Sequence, residues 1–238
     1  MLRWVLFVLG VLMIFTAVNG QDTRRGMLVY DDMEREFDVF LPSIYRDDGD
    51  PLPMVMVLHG AGGSATSMAQ LTGFNDIAER EGFIVVYPVG PLGYWDYGAG
   101  TTEWENVPDV RDDPGFLAFL LPALQDTLNI DPDRIYATGY SNGARMAFRL
   151  GCDLSDRIVA IAAVSATISD EVTDNCPEDG RVSVLYMHGT GDTVTPWEGK
   201  PLFIEGRRIS TALSAPDTVT FWATQNGCDP ATVTQIDA

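Results

Sequence analysis

Apolar and polar residues along this chain fall into short blocks, and the blocks switch between a period of two and a period near four. Glu36 to Leu41 alternates as a strand does and stops at Pro42, and a turn-rich acidic loop from Arg46 to Pro53 follows. Met54-Val55-Met56-Val57-Leu58 is continuously apolar, the pattern of a strand covered on both faces. Ser67 to Glu81 predicts one helix with Phe74, Ile77 and Ala78 on its inner side, and Phe83 to Tyr87 a second buried strand ended by Pro88. Residues 88 to 112 are rich in Gly, Pro and aromatics without periodicity, which predicts a long loop. Asp113 to Leu128 predicts a helix with Phe116, Leu117, Leu120, Leu121 and Leu124 as its apolar face. Asp131-Pro132-Asp133 breaks it and leads into a strand over Arg134 to Thr138. Further on, Ile158 to Val164 and Val182 to Met187 predict two more buried strands. Ala215-Pro216-Asp217 opens a last helix running to Gly227, with Val219, Phe221 and Trp222 as candidate buried positions. Ala231 to Ile236 reads as the start of one more strand. Strands alternating with helices predict an α/β domain, its sheet mostly parallel with helices on both faces.

Residues 1 to 20 stand apart from this pattern. Arg3 precedes an apolar run from Trp4 to Ala17, and Val18-Asn19-Gly20 puts small residues at a cleavage site, so the stretch reads as a secretory signal peptide. An uncleaved anchor is the rival, but the run is short against the 20 or so residues of a membrane span. The remainder, 21–238, is the length of one α/β domain. The whole chain's net charge of −19 repels nucleic acid and anionic membrane surfaces, and the chain carries a single lysine, Lys200. The expectation is therefore an exported protein, extracellular or periplasmic, with no nucleic-acid partner and no stable membrane insertion after leader removal. Three cysteines in such a protein suggest disulfides. Cys152 closes one helix and Cys176 lies in the loop before the next strand, so the two can pair, which leaves Cys228 odd.

Gly139-Tyr140-Ser141-Asn142-Gly143 joins a β-prone run to the helix-prone Ala144 to Leu150. That is the strand, turn and helix context in which G-x-S-x-G marks a nucleophile elbow. Glycines at both ends are required because side chains there would strike neighbouring backbone. His59-Gly60-Ala61-Gly62-Gly63 follows the first buried strand and suits an oxyanion hole, with the Ala61 and Asn142 amides as donors. A plain glycine-rich turn is the alternative. His188-Gly189-Thr190-Gly191-Asp192 follows the last long strand, where a triad acid belongs, which assigns Asp192 that role against a simple turn aspartate. Both histidines precede the point where the base of this architecture should lie. His59 reads as ordering its loop through hydrogen bonds and His188 as structural. Tyr94, Trp95, Tyr97, Trp104 and Trp197 either line a substrate pocket or pack their loops, Asp112 and Asp113 read as helix caps, and no residues show metal spacing.

The segments LHGAGGS at 58–64, NIDPDRIYATGYSNGARMA at 129–147, HGTGDTVTPW at 188–197 and FWATQNGC at 221–228 resemble the extracellular polyhydroxybutyrate depolymerase and feruloyl/acetylxylan esterase group of α/β-hydrolases. The resemblance implies an α/β-hydrolase fold and a serine esterase with no metal or organic cofactor. Its substrates would be polyhydroxyalkanoate-type polyesters, or feruloyl or acetyl esters of plant polysaccharide. Ser141 and Asp192 match the group's nucleophile and acid, and Cys152 and Cys176 sit where a disulfide is usual. The group's base lies in a GxxH-type turn downstream of the NGC segment, together with a cysteine that would suit Cys228. The chain is therefore expected to stop short of its last strand and histidine turn, and by itself to be nearly inactive. Two other readings remain: a ligand-binding protein that has lost its base, and a secreted serine peptidase. The second is disfavoured because such enzymes usually carry an extra domain.

Overall fold

The computed structural model describes residues 4–8, 11–17, 23–98, 111–204 and 207–229. Trp104 and the segment 231–236 lie outside them. The chain forms, in order, strands β1 (Trp4–Val8), β2 (Val11–Ala17), β3 (Thr23–Tyr30), β4 (Met33–Phe40) and β5 (Leu52–Leu58), then helices α1 (Ala65–Thr72) and α2 (Phe74–Glu81). There follow β6 (Ile84–Pro88), α3 (Asp113–Gln125), β7 (Ile130–Tyr140), α4 (Asn142–Asp153), β8 (Ala160–Val164), α5 (Asp170–Asp174) and β9 (Ser183–Met187). A hairpin of β10 (Lys200–Ile204) and β11 (Arg207–Ala212) precedes α6 (Ala215–Gln225).

One sheet runs β1-β2-β3-β4-β6-β5-β7-β8-β9. The five strands from β6 to β9 are parallel neighbours, while β1 to β4 are antiparallel. The stretch read as a leader supplies β1 and β2 at the outer edge, so their removal leaves β3 to β9 paired. From β5 the chain crosses through α1 and α2 to β6 on one side, and from β7 it crosses through α4 to β8 on the other. The loops after β5 and β7 therefore part company above adjacent strands. Such a reversal of direction opens a crevice at the carboxyl ends of the strands, the usual place for a ligand in an open α/β sheet.

The continuous apolar runs are buried on both faces, as expected. Met54, Met56 and Leu58 of β5 and Ile84 and Val86 of β6 face the larger core, with α3, α4 and Trp222 of α6. Val57, Val85 and Tyr87, the alternate positions, face Ala65, Met68 and Ala78 of α1 and α2. Three expectations need correction. The single helix over 67–81 is two helices, because Gly73 turns left-handed (φ 61°) and caps α1 with its N–H on the Ala69 carbonyl. Strand β9 is exposed along much of its length, Leu185 by 58% and Met187 by 47%, because among the described residues it has a neighbour on one side only. Asp112 does cap α3, accepting from the Gly115 N–H at 2.8 Å, but Asp113 is fully buried and bonds elsewhere.

Cys152, at the end of α4, is bonded to Cys176, beyond α5, across 24 residues. Cys228 is a free, exposed thiol. Closing a loop of that length removes unfolded-state entropy worth about 3 kcal/mol. The double variant Cys152→Ser/Cys176→Ser is expected to melt about 6–12 °C below the parent in a calorimetric scan. A shift under 2 °C would mean that the loop is held without the bridge.

Candidate active site

Strand β7 ends at Tyr140, and the next residue, Ser141, adopts φ 54°, ψ −117°, a conformation an L side chain enters only under constraint. Its surroundings impose that constraint. A Cβ on Gly139 would stand 2.1 Å from the Gly143 carbonyl oxygen, and one on Gly143 2.4 Å from that of Leu58. Only glycines let the strand, the turn and α4 approach so closely. The Ser141 N–H is tied to the Val164 carbonyl at 2.8 Å and its own carbonyl accepts the Ala144 N–H at 2.9 Å, leaving the side chain half-exposed at the sheet edge.

The loop after β5 lies directly against this turn. A Cβ on Gly60 would sit 3.0 Å from the Tyr140 ring and 3.5 Å from Ser141 Cβ. The Gly60 carbonyl bonds to His59 Nδ1 at 2.8 Å and accepts the Gly63 N–H at 3.0 Å. In a trans peptide this aims the Ala61 N–H the opposite way. Among the described residues, neither the Ala61 nor the Asn142 N–H has a hydrogen-bond partner. Two free backbone donors thus flank Ser141, one from each side of the crevice.

His59 is 1% exposed and both its ring nitrogens are engaged. The Gly90 N–H donates to Nε2 at 2.9 Å, so the ring proton sits on Nδ1 and donates to the Gly60 carbonyl. Burial holds the imidazole below its usual range, which keeps this neutral tautomer. His188 packs its ring between Tyr186 and Trp197 and bonds through Nε2 to the Thr195 carbonyl at 2.9 Å. Both histidines hold loops, as the sequence suggested.

Asp192 lies in the loop after β9, where its Oδ1 accepts the Val194 and Thr195 N–H groups, each at 2.8 Å. The register aligns Tyr140 with Val164 and Val164 with Met187, so the elbow and this loop leave the same edge of the sheet. Two strand spacings separate them, about 10 Å. The structure thus brings Ser141, Asn142 and Ala61 together and sets Asp192 at the same edge of the sheet, two strands from the elbow. It places no histidine between them.

Two of the aromatics pack the loop, Trp95 and Tyr97 being fully buried, while Tyr94 and Trp197 are half-buried. The Asn142 side chain pairs with the Trp95 peptide, accepting its N–H at 2.7 Å and donating to its carbonyl at 3.1 Å. The Trp95 indole N–H donates to the His59 carbonyl at 3.0 Å. This segment hangs on a buried charge cluster that the sequence did not disclose. Asp113 accepts from Arg35 at 2.6 Å and from the Asp96 N–H at 2.8 Å, and Arg111 donates to the Pro91 and Tyr94 carbonyls. Among the described residues no group of three or more His, Cys, Asp or Glu side chains is placed to hold a metal, and no helix is long and apolar enough to cross a membrane.

Residues 37–176 match the family model described as esterase PHB depolymerase. Feruloyl esterase B of Piromyces equi is 29% identical over 201 residues, 82% of this chain and 36% of the relative. Feruloyl esterase D of Neurospora crassa is 27% identical over 186 residues, 74% of this chain and 60% of the relative. The chain thus spans between about a third and three fifths of the length of these curated relatives. Among solved structures, an acetyl xylan esterase from Aspergillus awamori superposes with a TM-score of 0.57 over 84% of this chain and 78% of the other, at 17% identity. A thermostable esterase gives 0.58 over 87% and 52%, at 16% identity. At such identities the superpositions speak for a shared fold.

Proposed function

The chain belongs to the esterase PHB depolymerase family, and from that premise we propose that it hydrolyses carboxylic esters through an acyl-serine intermediate. The observation that carries the reading is Ser141 itself, held in a strained turn between two unpartnered backbone N–H groups. Ser141 Oγ attacks the ester carbonyl carbon and passes its proton to the imidazole of a histidine base other than His59 and His188, which both bond to loop carbonyls. The carbonyl oxygen becomes an anion and is received by the Ala61 and Asn142 amides. As the anion collapses, the carbon–oxygen bond to the alcohol breaks and the alcohol leaves with that proton. Water then attacks the acyl group, its proton going to the same imidazole, and the acid departs as Ser141 is restored. Asp192 keeps the imidazole in the right tautomer and stabilises its protonated form.

The substrates we assign are polyhydroxyalkanoate-type polyesters or feruloyl and acetyl esters of plant polysaccharide. The names of the feruloyl and acetylxylan esterase relatives support that choice. Residues 1 to 20 act as the export leader in this reading. The Cys152–Cys176 bridge supports it, since such bonds persist in oxidising compartments. A second reading is favoured by one observation: His59 and His188 are both committed to loop carbonyls, which suits a protein that binds ligand without turnover. The test is to offer the full-length gene product a p-nitrophenyl acyl ester, methyl ferulate and a peptide anilide. Ester turnover without anilide turnover is expected. Binding with no turnover selects the second reading, and anilide cleavage at a comparable rate a peptidase.

A further inference from the structure

The two donors beside Ser141 come from different strands, and a single residue is bonded to both sides. Trp95 joins its peptide to the Asn142 side chain by two hydrogen bonds, and its indole N–H reaches the His59 carbonyl. Its ring also lies against the His59 imidazole, centroid to centroid 4.9 Å. That imidazole in turn fixes the Gly60 carbonyl, and so the direction of the Ala61 N–H. Trp95 and His59 are both shielded from solvent, so water does not compete for these bonds. The segment has little freedom of its own: Gly93 accepts the Gly62 N–H at 2.8 Å, and Gly90 donates to His59.

We propose that Trp95 is the positioning residue of the oxyanion hole, setting the Ala61 and Asn142 amides at the spacing that one developing oxyanion requires. The inference rests on the esterase reading. Trp95 touches no reacting atom: it acts through the Asn142 amide on one side and through His59 and Gly60 on the other. Because the donor of Asn142 is backbone, truncating its side chain leaves the N–H in place and removes only the tie to Trp95. A displaced donor stabilises the anionic transition state less while leaving the ground-state ester bound as before.

The experiment compares Trp95→Phe, Asn142→Ala and Trp222→Phe in the full-length protein. Trp222 is also buried, and among the described residues its indole nitrogen has no hydrogen-bond partner, so its variant measures the cost of removing a core indole away from the site. For a p-nitrophenyl ester, Trp95→Phe and Asn142→Ala are expected to lower kcat ten- to a hundredfold with KM within about twofold. Their affinity for a phenylboronic acid, which forms a tetrahedral adduct, should fall by a similar factor, and Trp222→Phe should keep parental kcat. A role confined to packing would lower the melting temperature and leave kcat and boronate affinity unmoved. That result, in both site variants, overturns the proposal while the parent still turns over ester. Absence of ester turnover in the parent overturns the esterase reading, and the proposal with it.

Discussion

Full-length protein carrying Ser141→Ala is expected to take up no fluorophosphonate and to lose ester turnover by a factor of about 10⁴ or more. The expectation follows from geometry before chemistry. The elbow presents Oγ at the sheet edge, half-exposed, with the Asn142 N–H one residue on and the Ala61 N–H across the turn. Alanine fits the same backbone, since the positive φ of Ser141 is imposed by the contacts of Gly139 and Gly143. The variant should therefore fold with an unchanged melting temperature, and the loss belongs to the missing nucleophile alone. What turnover is left reports the oxyanion donors acting on a water molecule. Labelling that survives the substitution would place the nucleophile elsewhere and end the assignment.

Asp113→Ala should cost about 3–5 kcal/mol, the largest stability loss we expect from a single side chain. Arg35 and Asp113 are 1% and 0% exposed and meet at 2.6 Å at the first turn of α3. Arg111 stands 3.9 Å from the same carboxylate, and the Arg35 guanidinium also lies 3.8 Å over the Phe116 ring. Among the described residues Nε and Nη1 of Arg35 have no hydrogen-bond partner, so its charge leans on Asp113 and on that ring. Burial pushes the Asp113 carboxyl up and the Arg35 guanidinium down from their ordinary values, each partly offset by the other. Alanine would leave two buried guanidinium groups without the carboxylate they share, and would free the Asp96 N–H. Urea unfolding is the measurement. Replacing both partners, Arg35→Met with Asp113→Leu, should recover much of the loss, because the pair's own attraction barely exceeds what burying it costs. A loss under about 1 kcal/mol for Asp113→Ala would mean that Asp96 takes over the pairing.

Local chemistry was legible in the sequence and long-range chemistry was not. The elbow, the His59–Gly63 loop and the Asp192 loop each announce themselves through small residues at spacings that only tight backbone geometry demands. The buried runs of β5 and β6 did so through their β-branched and apolar continuity. Two misreadings came from composition without context. An apolar run such as Val184-Leu185-Tyr186-Met187 looks the same in a central strand as in the last strand of the described sheet. The periodicity from Ser67 to Glu81 likewise continues across Gly73, whose left-handed turn ends one helix and starts another. The Arg35–Asp113 pair joins residues 78 positions apart, and charged residues read singly look like surface. Trp95 was legible as an aromatic in a loop. Its pairing with Asn142 depends on a fold that brings together residues 47 positions apart.

The interleaved strand order has a consequence for how the molecule comes to be active. The Gly60 loop, the elbow and the Asp192 loop follow β5, β7 and β9, and every pairing that aligns them is parallel, reached only through a helical crossover. No hairpin or single helix contains two of the three. Closing such distant contacts is the slow part of folding, since the chain gives up its freedom before the contacts repay it. Helices α3 and α4 can form early from local contacts, but the crevice beside Ser141 exists only once the parallel sheet has zipped through β8. In time as well as in space, function is the last property this chain acquires.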